Sequence, residues 1–535
     1  MLNKILKNIK NNEQLLETIN IVKQKKHSKI ITSNIESKAL IAQSLEEKLV
    51  IICSNLNELI KFENFFKSIG KEVVTFKNNS SSYIYQKFNK HSHILDKYPE
   101  NIFKVVKQEF DVLLIMPSAL MQKLPIRDIF SKNILTLKSN MQKEPKQITD
   151  ELIKQGYNNL NGDVVQNKSE FSLRGDILDL FPVNDQLPIR INFFDDTIES
   201  IYKFNPITQK KVKEISKKEV SPNRILFLEY ESQEKIRQAI DNEIENMDSN
   251  TKENFEYIKQ EIFLDWEFSV NSSNLFWLTP YFLNFTSNIL HYVEDIRKIY
   301  SSEIDLIRQL EEEYFDFYNT FKNLFDSKEV LAKHKEYYFD KDKLITNLKK
   351  GSVLSFDFSN NQNTNQYYKY SLNINYNQVF EIPSTSMIDY SGNFDLLKRH
   401  LREYLKNDKY IFLAARSTTL INYISNYLKK NQFKFQVIDD YSYIQQEKIN
   451  IIKTGLLKGV DFLNENIVIF GNNDLFISTT RGYKETSTKT DLPDQVGDYV
   501  VHDVHGIGIY KGIKKLNLSG YERDYVILKY KNNDT

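Results

Sequence analysis

"KIITSNIESKALIAQSLEEKLVIICS", residues 29–54, decides how the chain is read. "KIIT" (29–32) has the length and β-branching of a short strand, and a helical pattern runs from about Glu36 to Glu47. "LVIIC" (49–53) is an apolar run of the kind buried on both faces of a parallel sheet. The unit is therefore strand, helix, parallel strand. In a helicase-type sheet, the turn between first strand and helix carries G-x-x-x-x-G-K-[ST], whose backbone N–H groups cradle phosphates. Here that turn is "TSNIESKA" (32–39). Lys38 keeps its place, Thr32 and Ser37 stand where glycines belong, and Ala39 stands where a magnesium-binding hydroxyl belongs. Side chains at the glycine positions obstruct a phosphate, so the turn reads as a degenerate, non-functional phosphate loop.

The same texture continues outward. "SNLNELIKFENFFKSIG" (54–70) has apolar residues at helical spacing, a capping box offered by Asn55 and Glu58, and Gly70 as a stop. "VVTF" (73–76) and "DVLLIM" (111–116) read as further strands. The latter runs into Met116–Pro117, where a metal-binding acidic pair would be needed. Residues 1–145 form this first α/β part, and 146–225 read as a β-rich insert of short strands and turns. Residues 226–350 are charged and helix-rich, with the triple glutamate of "SEIDLIRQLEEEYFDFYNTFKNLF" (302–325) on a solvated face. A second small α/β domain is expected over 351–477, with strands "YIFLAA" (410–415), "KFQVI" (434–438), "INIIKT" (449–454) and "NIVIFG" (466–471). Its helix is "STTLINYISNYLKK" (417–430). Residues 478–494 read as a polar linker and 495–535 as a β-rich end.

Composition narrows the classes. At 535 residues the chain is long enough for roughly three to five domains. A net charge of +1 gives no global field for nucleic acid or membrane. The basic runs "KQKKHSK" (23–29) and "KKVKEISKK" (210–218) read as solvated surface. The single cysteine, Cys53, rules out an internal disulfide and reads as a small buried hydrophobe. The opening "MLNKILKNIKNNEQ" lacks the apolar core of a secretory signal, and no apolar run spans a bilayer, so a cytoplasmic location is expected.

Two further stretches could carry chemistry. "VVHDVHGIGIYKG" (500–512) holds His502, Asp503 and His505. Residues three apart on a strand face opposite ways, so the two histidines do not converge on one ion. No helix follows the glycines at 506, 508 and 512, as a dinucleotide fingerprint requires, and they read as corners of a bent strand pair. The other is "FSLRGDILDLFP" with "LPIRINFFDDTIESI" (171–182 and 187–201). It reads as a β-meander, or as a mixed cationic and aromatic set, Arg174, Arg190 and Phe194, able to anchor a protein.

"RGDILDLFP…RINFFDDTIESI" closely resembles the β-insert of bacterial transcription-repair coupling factors, a module shared with UvrB of nucleotide excision repair. "GDYVVHDVHGIGIYKGI…YERDYVILKY" resembles the RNA-polymerase-interaction module of that family, a Tudor-like barrel also found in CarD-like proteins. "VLLIMPSALMQKLP" and "FQVIDD" sit where the family has comparable stretches. The resemblance covers essentially the whole chain and keeps the family's order. It implies a degenerate helicase-like, UvrB-like α/β module with a β-insert, a small α/β connector and an incomplete C-terminal barrel. It implies that Arg174, Arg190 and Phe194 contact UvrA, and that Leu516 contacts the polymerase β subunit. The family's ATP-driven DNA translocase, with its ATP, Mg2+ and main DNA contacts, has no counterpart in these 535 residues. The chain itself is thus expected to need no cofactor and to hydrolyse no ATP. An active UvrB-type enzyme and a CarD-like regulator acting through polymerase alone stand as the competing readings.

Overall fold

The computed structural model describes residues 1–9, 13–24, 26–45, 48–77, 98–267, 273–358, 370–390, 392–439 and 441–475. Towards the end it describes 497, 499–502, 506–518 and 521–529. The chain divides into two compact units, Met1–Leu475 and Phe476–Thr535.

The first unit is built on seven parallel strands. Their spatial order is 378–381, 28–31, 353–357, 298–300, 49–52, 112–115 and 73–76. Leu49–Ile52 and Val112–Ile115 are buried at every position, as a parallel sheet covered on both faces requires. Alternation assigns their side chains. Val50, Ile52, Leu113 and Ile115 enter one core with the helices of 233–349, while Leu49, Ile51, Val112 and Leu114 enter another with helices Ile35–Gln43 and Leu56–Ser68.

Local chemistry sets the helix ends. Asn55 Oδ1 accepts the Glu58 amide at 3.0 Å, and the Glu58 carboxylate accepts the Ser54 amide at 3.1 Å. The return bond of the expected capping box thus lands one residue upstream. Gly70, at φ +79°, ends the helix in a conformation that costs L side chains energy.

The helical layer holds one buried histidine. His334 Nδ1 faces the Leu331 amide at 3.2 Å and Nε2 faces the Trp277 carbonyl at 3.1 Å. Its ring lies 4.4 Å from that of Trp277.

The insert carries a six-stranded sheet in the order 211–215, 197–204, 189–194, 177–180, 170–174, 158–159. All its pairs are antiparallel except the last. A separate two-stranded ladder joins 217–220 to 135–138.

The expected boundary at 350 precedes two strands, Val353–Asp357 and Gln378–Glu381, that belong to the first sheet. The second α/β sheet begins at Ser384 and has the order 384–386, 460–462, 467–470, 410–415, 449–453, 435–438. Phe412, Ala414, Val460, Phe462, Ile467 and Ile469 enter the same core as Leu49 and Ile51, so the two sheets are packed together. Gly455 makes one of the close approaches: a Cβ there would lie 1.9 Å from the Ser68 carbonyl oxygen. The Asp474 carboxylate accepts the Gly459 and Gly471 amides at 2.7 Å each and fixes the adjoining loops.

The second unit is an antiparallel meander of Tyr499–His502, Gly506–Leu518 and Tyr521–Lys529. The register shifts between Tyr510 and Ile513, where Gly512 has φ +101°. The expected barrel is not found among the described residues. Both outer strands pair only with the central one, so the sheet stays open. The expected linker, 478–494, lies outside the described residues.

Candidate functional site

The insert sheet has two unlike faces. Phe171, Leu178, Leu180, Ile189, Ile191, Phe193, Ile198 and Ile201 point into the insert's own core. Alternation turns Arg174, Ile177, Asp179, Arg190, Asn192 and Phe194 to the other face.

There Asp179 stands directly opposite Arg190 in the ladder. Its carboxylate receives Arg190 Nε at 2.6 Å and a second guanidinium nitrogen at 2.8 Å, a bidentate pair. Arg174 closes on the same carboxylate from the neighbouring strand. Asp179 is 0% exposed beneath the two arginines. The Asp179 hydrogen bonds hold the Arg190 proton even more firmly than usual, against the opposing pull of partial burial. Gln209 Oε1 accepts from Arg190 at 2.9 Å, and the guanidinium lies 4.7 Å from the Phe204 ring centre.

Arg174 and Arg190 are thus brought together through a shared anion, with Arg174's side chain still 37% exposed. Phe194 shares their face but lies about 13 Å along the strand from Arg190 at the usual rise. It is 76% exposed, too much for core packing. Ile177, opposite Arg174, is exposed as well. Sequence reasoning missed Asp179 and Ile177. The signal for Asp179 was a lone carboxylate inside the apolar strand "ILDL", which a buried position tolerates only with cationic partners.

The turn at 32–39, expected to be a degenerate phosphate loop, is filled by side chains of its own and by Ser384. Asn34 Oδ1 caps the helix on the Ser37 amide at 2.8 Å. Thr32 Oγ1 meets Ser37 Oγ and Ser384 Oγ, each at 2.8 Å. Ser33 Oγ donates to the Ser384 carbonyl at 2.6 Å, and Asn34 Nδ2 donates to Ser384 Oγ at 2.9 Å. Lys38 is fully buried and donates to the Ser301 carbonyl at 2.6 Å, 4.0 Å from Glu58. Burial pulls its ammonium below the usual range, against Glu58, Asp357 and Asp305. Ala39 packs in the core, as does Cys53.

In the second unit, Leu516 lies on the central strand opposite Arg523. His502 lies opposite Gly506, while Asp503 and His505 lie outside the described residues. No metal-binding cluster of three ligands exists among the described residues. No helix among them is long and apolar enough to cross a membrane.

Residues 135–226 match the UvrB interaction domain family, and residues 495–535 match the CarD-like/TRCF RID domain family. The transcription-repair-coupling factor of Borreliella burgdorferi is 24% identical over 92% of this chain and 40% of its own length. That of Bacillus subtilis is 21% identical over 81% of this chain and 37% of its own, and that of a Staphylococcus aureus strain 22% over 92% and 42%. The chain spans about two fifths of the length of these relatives.

Proposed function

We propose that the chain serves transcription-coupled nucleotide excision repair as a recruiting platform. Its insert sheet docks UvrA, and its C-terminal sheet docks RNA polymerase through the β subunit. The observation that carries the reading is the open face at 174–194. Two arginines are pre-set on one buried carboxylate, beside an aromatic ring left in solvent. Pre-set cations and an exposed aromatic are what interface hot spots are made of, because little side-chain entropy is lost on docking. The face lies wholly within the stretch that matches the UvrB interaction domain.

The corner at 32–39 does not fit a nucleotide phosphate. The Ser37 amide is already bonded to Asn34, and the hydroxyls of Thr32, Ser37 and Ser384 fill the space between strand and helix. We therefore assign neither ATP nor Mg2+ to this chain and no hydrolase activity to it alone. The open three-stranded sheet would be the framework of a Tudor-like barrel, with Leu516 as its polymerase contact. Its match to CarD-like proteins supports a second reading, a regulator that binds polymerase without recruiting UvrA.

Binding of purified UvrA to the full chain tests the proposal. Binding at micromolar strength or tighter, lost in both Arg174→Ala and Phe194→Ala, is expected. Binding that survives both substitutions refutes the assigned face. Polymerase binding without UvrA binding favours the regulator.

A further inference from the structure

A second charged surface lies on the other α/β sheet, far along the chain from the insert. Between Phe394 and Ile438 there are nine Lys or Arg against three Asp or Glu, Asp395, Glu403 and Asp408. That local excess of six positive charges sits in a chain whose total is +1. The helix Thr418–Lys430 contains no carboxylate at all.

The fold gathers these cations. Helix Phe394–Lys406 meets helix Thr418–Lys430 at Phe394, its first residue, which packs on Tyr423 and Tyr427 in the C-terminal half of the other. Tyr427 Oη donates to the Phe394 carbonyl at 2.7 Å, the two rings are 5.1 Å apart, and the Arg402 guanidinium lies 6.0 Å from the Phe433 ring centre. The buried faces, Leu397 and Leu401 on one helix and Ile424 and Leu428 on the other, point inward. Arg399, Arg402, Lys406, Lys429, Lys430 and Lys434 are all left exposed.

None of these six forms an ion pair among the described residues. In the run 210–218, by contrast, three of the five lysines are answered: Lys211 pairs with Glu214, Lys217 with Glu219 and Lys218 with Asp185. Burial pushes the Asp185 carboxyl up, but hydrogen bonds from Lys203 and Lys218 outweigh it and hold it at about 2. Helix dipoles account for Lys406, Lys429 and Lys430 in the last turns. They do not account for Arg399 and Arg402 in mid-helix or Lys434 beyond it.

We propose that this two-helix face binds the phosphate backbone of a nucleic acid. A protein partner would need an apolar anchor at the centre, and charged residues are depleted from such centres. Here the helix surface carries Asn422, Asn426 and Asn431, which suit phosphate oxygens, and the half-exposed Tyr423, whose ring suits stacking on a base. This contact requires neither UvrA nor polymerase.

The test is fluorescence anisotropy of the full chain with a duplex of ~20 base pairs and with its single strand, across salt concentrations. Six phosphate contacts give a slope of log affinity against log salt of about −5 on duplex. In Arg399→Gln/Arg402→Gln/Lys430→Gln the slope should shrink by about 3, with affinity at least tenfold weaker at ~0.1 M salt. In Lys211→Gln/Lys217→Gln, whose lysines are already paired, it should not change. Equal slopes for the parent and the triple variant would overturn the proposal. So would tighter binding of poly-glutamate than of either nucleic acid, which would give the face to an acidic protein. Thermal melts of each variant verify folding, and a variant that melts early is replaced by its Arg→Lys or Lys→Arg counterpart, which should retain the slope.

Discussion

Acidification should weaken the first unit through His334, and the size of the effect can be worked out. The ring is 1% exposed, and its two nitrogens are already served in the neutral form. Nε2–H donates to the Trp277 carbonyl, while Nδ1 accepts the Leu331 amide. A proton added at Nδ1 would displace that N–H bond and have only the Leu331 carbonyl, at 3.3 Å, as a partner. Burial, against the carbonyl bonds, lowers the pKa from 6.5 to about 4. A depressed pKa means the unfolded chain takes up the proton first. The associated stability is complete above pH ~6.5 and is lost as pH falls towards ~4. At about 1.4 kcal/mol per pH unit, the full loss is ~3 kcal/mol, most of it gone by pH ~4.5. The assay is urea unfolding at several pH values, for the parent and for His334→Gln. The substitution should lower stability at neutral pH, and the gap between the two proteins should narrow by 2–3 kcal/mol on acidification. A gap independent of pH would refute the reasoning, since carboxylates that titrate nearby are common to both proteins.

Three other outcomes are expected. Asp179→Asn keeps the shape but leaves one oxygen for two guanidiniums; it should cost about 1–3 kcal/mol in urea unfolding, the exposure of Arg174 limiting the loss. Phe194→Ala, at a side chain 76% exposed, should change stability by less than ~0.5 kcal/mol, so that any loss of UvrA binding reports contact, not unfolding. Gly455→Ala forces a methyl to 1.9 Å from the Ser68 carbonyl and should lower the urea midpoint by the equivalent of ~2 kcal/mol or more; a parent-like midpoint would show that the two sheets can part there.

Strands bounded by turns were legible in the sequence. "VVTF" and "YIFLAA" match their strands residue for residue, because an apolar run between polar turns has few other homes. The cap at Asn55 was legible for a similar reason, since its chemistry is local. Sheet membership was not. Lys298–Tyr300 is three residues long within a helical region, and nothing local marks it as the middle of a sheet. Val353–Asp357 and Gln378–Glu381 looked like the start of the next domain because both pair with Ser28–Ile31, more than 300 residues upstream, and the nearer partner of the first, Lys298–Tyr300, was itself not recognised. At the candidate site, residue type singled out Arg174, Arg190 and Phe194 beside a plain β-meander reading, and only the resemblance gave them an expected role. The carboxylate that organises the arginines emerged only from the ladder that sets Asp179 across from Arg190.

The hydroxyl cluster at residues 32–37 has a mechanical side. Ser384, which bonds Thr32, Ser33 and Asn34, begins the edge strand of the other sheet. That corner is a rivet between two plates. A force applied to one plate meets these bonds before it can open the seam to the other.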